Sequence, residues 1–287
     1  MSIALAPEPT QSPARRLTAA ARAASAAVSL SVLVSFIVVV IVILWSLFPS
    51  LFTSYSAVAA NPAEKFLGPG AQHWFGTDDL GRDEFARVVY GARSSVGTAL
   101  VAVGIGLFAG GLIGLLAGFA GGWADAVLGR LVDTLLAIPG FLLAVVVVTG
   151  LGFTTLNAAI ATGIASVAIF ARLMRAETIK VRHSVFIESS YLQGGSAGYV
   201  LFRHVLPNAY RSVLALAVLQ LGNAIIVIAA LAFLGYGSPP PASDWGLLVA
   251  AGSTDATAPW LVYGPAIVIV VTVLSINRIS RWLRKTS

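Results

Sequence analysis

Few side chains of this sequence could do chemistry, and they fall in three places. Gln220 and Asn223 lie three residues apart inside an apolar run, so they share one face of a helix. As neutral amides they suit either an aqueous path or hydrogen bonds to a neighbouring helix. Asp78, Asp79, Asp83 and Asp244 belong to an acidic set with Glu64, Glu84 and Asp255. They could receive the basic groups of a docking protein, or cap helices and face water. The segment FIESSYLQGG, residues 186–195, places Phe186, Ile187 and Tyr191 around Glu188, Ser189 and Ser190 and then breaks at Gly194. That pattern suits docking rather than catalysis. No phosphate-binding G-x-x-x-x-G-K-[ST], no H-E-x-x-H and no G-x-S-x-G occurs. His73, His183 and His204 are scattered, and cysteine is absent, so no metal site is expected.

The elements that must position these groups are membrane helices. The 287 residues are 57% hydrophobic and 10% charged, against about a quarter charged in a soluble domain. Such a chain cannot cover a water-facing surface. Six apolar runs approach the roughly 20 residues a helix needs to cross a bilayer: 28–48, 96–119, 131–151, 156–173, 213–233 and 261–276. The third and fourth read as antiparallel spans joined by the turn GFTTLN. The first is too long for the apolar core of a cleaved signal and starts too late, so it is expected to stay.

Orientation follows from lysine and arginine. With the N-terminus inside, Lys65, Arg82, Arg87 and Arg93 fall outside, and the other 14 of the 18 basic residues fall inside. Basic residues collect on the cytoplasmic side, so both termini are expected there. The same bias explains the net charge of +6 without nucleic acid. The expected organisation is a tail over 1–27, a first span over 28–48, an outside segment over 49–95, a five-helix core over 96–280 and a tail over 281–287.

Local signals add detail. Gly106, Gly110, Gly114, Gly118 and Gly122 recur every four residues, one step beyond Ala102. Such a stripe lets helices approach closely in lipid. Pro139 lies inside the third run and is expected to kink it, as a hinge or as shape. Asp83 is placed to cap a helix, and Ser243 or Asp244 to start a short interfacial one over WGLLVAA. The triple proline ends the fifth span. Between the fourth and fifth spans, a short helix, Gly194–Gly195 and the stretch YVLFRHVLP ending at Pro207 form a helix–glycine–helix element. Physically it could dock a partner or lie on the bilayer. The spans hold almost no ionisable residue; only Asp133 and Arg172 sit near their ends. This speaks against a self-powered carrier and an intramembrane enzyme.

Five stretches carry a family resemblance. Glu188-Ser-Ser followed by Gly194 and Leu206-Pro207 resembles the cytoplasmic "EAA" signature of bacterial ABC-importer permeases, with Glu-Ser-Ser in place of Glu-Ala-Ala. RHVLPN (203–208), HWFGTDDLGRD with RVVYGARSS (73–95), GGWADAVLGRLVDTLLAIPGFLLA (121–144) and FLGYGSPPPASDWG (233–246) are similar to the "C-type" permease of the dipeptide, oligopeptide and nickel branch. The resemblance implies an all-α, six-span, MetI-like fold with a coupling segment over 176–208. In it Phe186, Ile187, Glu188, Ser189, Ser190, Tyr191 and Gly194 meet a separate ATPase. It implies two ATPase subunits carrying ATP and Mg, no cofactor in this chain, a non-identical sister permease and an extracytoplasmic substrate-binding protein. It also implies the bacterial inner membrane, and di- or oligopeptides as cargo, with a nickel chelate or glutathione as the alternative. A secondary carrier or channel is the alternative from another class.

Overall fold

The computed structural model describes residues 29–239 and 241–286. The tail over 1–27 and Pro240 of the triple proline lie outside them. Among the described residues the architecture is helical, with one isolated β-bridge, between Thr77 and Asp83. Helix α1 spans Leu30–Leu47; its apolar side chains are mostly exposed, as lipid-facing residues are. It packs on the second and last long helices. Near its start, Arg278 donates to the Ser31 hydroxyl (2.7 Å).

Helix α2 runs Glu84–Ala120, 37 residues. That is about 55 Å at 1.5 Å per residue, against a hydrocarbon core of about 30 Å. Its first turns therefore stand outside the membrane, where Asp83 caps it by accepting from the Ala86 N–H (2.6 Å). The glycine stripe packs on helix α5 (Thr155–Arg182). Gly106 faces Ser166 and Phe170, Gly110 faces Val167 and Phe170, Gly114 faces Ala171 and Met174, and Gly118 faces Arg175 and Thr178. In an α-helix a stripe of step four drifts around the axis. A π-helical turn over Gly106–Gly110, which rotates less per residue, offsets that drift and keeps the stripe on α5. Gly122 does not belong to it. It has positive φ (54°), as does Gly121 (67°); Gly121 ends α2 and Gly122 opens the next helix.

A Cβ at Gly114 would press on the Ala171 carbonyl and lie 2.8 Å from the Arg175 nitrogen. Both are backbone, so no rotamer change relieves the contact. Gly114→Ala is expected to destabilise the protein by about 1–3 kcal/mol, read as a lowered thermal midpoint in detergent.

The third apolar run is broken sharply at Pro139 rather than gently bent. Helices α3 (Gly122–Ala137) and α4 (Gly140–Leu151) meet at 91°. Pro139 has no N–H, and the residue before a proline is driven to extended geometry; Ile138 lies at φ −88°, ψ 127°. The two limbs are held on α5. Thr154 caps α5 by accepting from the Asn157 N–H (3.1 Å), and the Asn157 amide donates to the last carbonyls of α4 (2.9 and 3.0 Å).

Helix α6 (Val185–Leu192) follows three residues after α5. Helix α7 runs Ala197–Phe233 and passes through Pro207 without a break. A π turn at Leu201–Val205 widens the helix just upstream and makes room for the proline ring. Helix α8 (Trp245–Gly252) is capped by Asp244, which accepts from the Leu247 N–H (2.9 Å). It is packed into the bundle rather than standing free of it. Trp245 is 0% exposed, its indole N–H donating to the Val88 carbonyl (2.9 Å) and its backbone N–H to the Ser95 hydroxyl (3.0 Å). Burying the tryptophan draws α8 into the bundle, against α2, α7 and α9 (Trp260–Thr286). Gly91 permits this, because a side chain there would overlap the Ser243 carbonyl.

Candidate functional site

At one end of the bundle, α6 and the start of α7 form a hairpin. Gly194 has φ +85° and open space around it. The Gly194 and Gly195 N–H groups donate to the carbonyls of Tyr191 (3.0 Å) and Ser190 (2.9 Å). Ser196 then caps α7 by accepting from the Tyr199 N–H (3.3 Å). His204 packs edge-on against Phe186 and Tyr199, tying the two limbs. Glu188, Phe186 and Tyr191 are exposed. Ser189 donates back to the Val185 carbonyl (3.0 Å), and Ser190 lies half-buried at the turn. Ile187 differs from the expectation of a partner contact: it is 1% exposed and part of the main core. It anchors α6 to its own protein. The apolar surface left open is instead Val185, Phe186, Tyr191 and Leu192, the last 84% exposed. Val185 and Leu192 were not singled out by sequence, because the face of so short a helix depends on how it seats.

Within the membrane portion, Gln220 and Asn223 line a cavity of about 290 Å³. Thr162 and Ser166 of α5, Gly140 and Phe141 where α4 begins, and Ala102 and Val103 of α2 also line it. Neither Gln220 nor Asn223 hydrogen-bonds to a neighbouring helix among the described residues; the Thr162 hydroxyl is buried without a partner. Among the described residues, no ionisable side chain lines this cavity. Thr162 and Ser166, one turn apart on α5, were legible as a polar pair but not assignable to this cavity before the packing was known.

At the opposite end, the acidic residues are mostly committed internally. Asp78 accepts from Arg82 Nε (2.7 Å), Arg87 Nη1 (2.6 Å) and the backbone N–H groups of Leu80 and Arg82 (both 2.9 Å). Asp83 caps α2 and pairs with His73 (2.8 Å), whose far nitrogen is 3.6 Å from Glu64. Asp78, Asp83 and Asp244 are buried and their carboxylates are engaged in these bonds and in the cap of α8, so they are not free to meet a docking protein. Asp79, its side chain 66% exposed, is. Burial pushes the Asp244 carboxyl above the usual carboxylate range, against the bonds it accepts from Leu247 and Gly246. Glu84, a member of the same acidic set, is 1% exposed. Burial pushes its carboxyl up to about 8; Arg87 opposes this and Asp78 reinforces it. Glu84 faces a hollow of about 280 Å³ between α2 and the loop after α8.

Four similarities to known proteins bear on this arrangement. Residues 110–286 match the family "Binding-protein-dependent transport system inner membrane component". The chain is 42% identical over 238 residues to the dipeptide transport system permease protein DppC of Alkalihalophilus pseudofirmus, covering 83% of this chain and 78% of that one. It is 38% identical over 218 residues to the glutathione transport system permease protein GsiD of Pectobacterium atrosepticum, covering 76% and 72%. Among solved structures, the inward-facing MetNI methionine ABC transporter superposes with a TM-score of 0.54 at 16% identity, over 69% of this chain and 96% of that chain, a shared fold.

Proposed function

The chain belongs to the family of binding-protein-dependent transport system inner membrane components, and from that premise we propose that it forms half of the translocation path for dipeptides and oligopeptides. It is the non-catalytic, multi-pass inner-membrane permease subunit of an ABC importer, which sets the carrier and channel alternatives aside. In the proposed assembly, a non-identical sister permease completes the path. Two ATPase subunits bind ATP and Mg, and a binding protein delivers cargo from outside. Both termini face the cytoplasm. DppC and GsiD relatives support a peptide-like cargo, with glutathione or a nickel chelate as the second reading.

The observation that carries the mechanism is the hairpin. It presents Val185, Phe186, Tyr191 and Leu192 around Glu188, in a chain that has no nucleotide motif of its own. An exposed apolar face beside a carboxylate fits a groove on an ATPase. The hairpin continues directly into α5 and α7, and those two helices carry Thr162, Ser166, Gln220 and Asn223. From Arg182 to Ser166 is about 24 Å along the axis. Two packed, rigid helices can carry a displacement over that distance, so closure of the ATPase pair would reshape the cavity. A neutral, hydrogen-bonding wall suits the amides of a peptide in transit.

The test is assembly and energy dependence. The tagged chain, extracted in mild detergent, is expected to bring two ATPase chains and a sister permease. Reconstituted with the binding protein, the complex should take up dipeptide only with ATP. Recovery of the chain alone under several mild conditions would sink this reading. Changing both Gln220 and Asn223 to leucine is expected to slow uptake on the order of tenfold, the effect of losing about 1–1.5 kcal/mol of hydrogen bonding in transit. Thermal stability should not fall. Unchanged uptake in this variant would remove the two residues from the path.

A further inference from the structure

The hollow beside Glu84 has the makings of a binding site. Its walls come from two distant parts of the chain: Asp78, Asp79, Glu84 and Arg87 from the first outside segment and α2, and Thr254 and Asp255 from the loop after α8. Four carboxyl groups line it. The two guanidiniums nearby, Arg82 and Arg87, both pair with Asp78 at 2.6–2.7 Å. Asp79 and Asp255 are fixed less tightly; among the described residues the Asp255 carboxylate accepts only from the Thr257 N–H (3.2 Å) and hydroxyl (2.7 Å) of its own turn.

Glu84 is the unusual member. Its side chain is 2% exposed, yet among the described residues its carboxyl makes no hydrogen bond and has one ionic neighbour, Arg87, at 3.8 Å. A buried carboxyl normally has hydrogen-bond partners. Here it faces a cavity large enough for a guest. The guest is not a bare metal ion. Among the described residues no three acidic or histidine side chains come together as a metal site, and these carboxyls are spread around the walls of the hollow. An elongated cation, entering end-on and donating several N–H bonds, answers the geometry and the excess negative charge.

We propose that this hollow is a socket for one alkylammonium or guanidinium group, supplied by a lysine or arginine side chain of the extracytoplasmic protein that docks on this face. The partner half rests on the importer reading above; the pocket itself does not. The cation would bring Glu84 to its charged form, displacing a proton from a carboxyl that burial holds neutral up to about pH 8. The charged groups facing Glu84 are Asp78, Arg82, Asp83 and Arg87, with Asp79 and Asp255 across the hollow. Affinity should therefore rise as pH approaches 8 and level off above it.

The experiment is calorimetric titration of the assembled transporter in nanodiscs with n-butylammonium, with n-butanol and butyrate as controls. The expected result is saturable binding of butylammonium alone, at least tenfold weaker in Glu84→Gln, with the pH dependence lost. Asp255→Asn keeps the acceptor of its turn and should bind several-fold more weakly with an unchanged fold. No saturable binding, or equal affinity in Glu84→Gln and Asp255→Asn, overturns the socket. Butylammonium should also compete with the purified binding protein for docking. Binding without competition overturns the partner assignment and leaves a free cation as the guest. None of these readings needs transport, so a failure here is separate from a failure of ATP-driven uptake.

Discussion

Asp78→Ala is expected to leave almost no folded protein. The carboxylate holds Arg82 and Arg87 and two backbone N–H groups in a buried cluster. Alanine strands both guanidiniums away from water, and Arg87 Nε is already buried without a partner. Breaking a buried ion pair from one side costs about 3–5 kcal/mol, a large part of the roughly 5–15 kcal/mol that holds a domain together. Asp78 also holds the turn that leads into α2, accepting from the Leu80 and Arg82 N–H groups, and Gly81, at φ +72°, packs that turn directly on the Asn61 carbonyl. Fluorescence-detected size exclusion of the tagged variant should show loss of the monodisperse peak. Replacing Arg82 and Arg87 by methionine together with Asp78→Leu should recover much of it, because an apolar substitute for a whole ionic cluster is often neutral. A single Asp78→Ala variant that melts with the parent protein would show that the cluster contributes nothing to stability.

Much of this molecule is legible in its sequence, for one physical reason. In a membrane chain, hydrophobicity marks the spans directly, so the long helices and their order follow from composition along the chain. Asp83 and Asp244 are recognisable as caps because capping depends on local spacing. What stays hidden depends on packing between distant segments. Nothing local says that Asp78 turns inward to two arginines, or that Ile187 faces the core while Leu192 faces out. A proline gives opposite results in two settings: Pro139 breaks a helix at 91°, whereas Pro207 sits in a continuous one because a π turn precedes it. The glycine stripe announces close contact but not its partner, and its apparent last member, Gly122, opens the next helix instead.

Glu188→Lys and Gly194→Val are each expected to reduce ATP-driven uptake to background while the protein inserts and folds. They act on different properties of the same hairpin. Glu188 is exposed and makes no ion pair among the described residues, so reversing its charge costs the isolated chain little. The effect should appear only against a basic groove on the ATPase. At Gly194 the space is open, so valine meets no clash. The cost is conformational, because φ +85° is unfavourable for a β-branched residue by about 1–3 kcal/mol. That is enough to re-form the turn between α6 and α7 and move Tyr191 and Leu192 off their docking positions, but not enough to unfold a bundle of long helices. Uptake per inserted copy, with ATPase co-purification on the same samples, separates the mechanisms. Glu188→Lys should lose the ATPase from the complex. Gly194→Val should weaken its retention and uncouple whatever remains. Normal uptake by both variants would mean that the ATPase engages another surface of this chain, and the hairpin would have to be read as an interfacial helix resting on the bilayer.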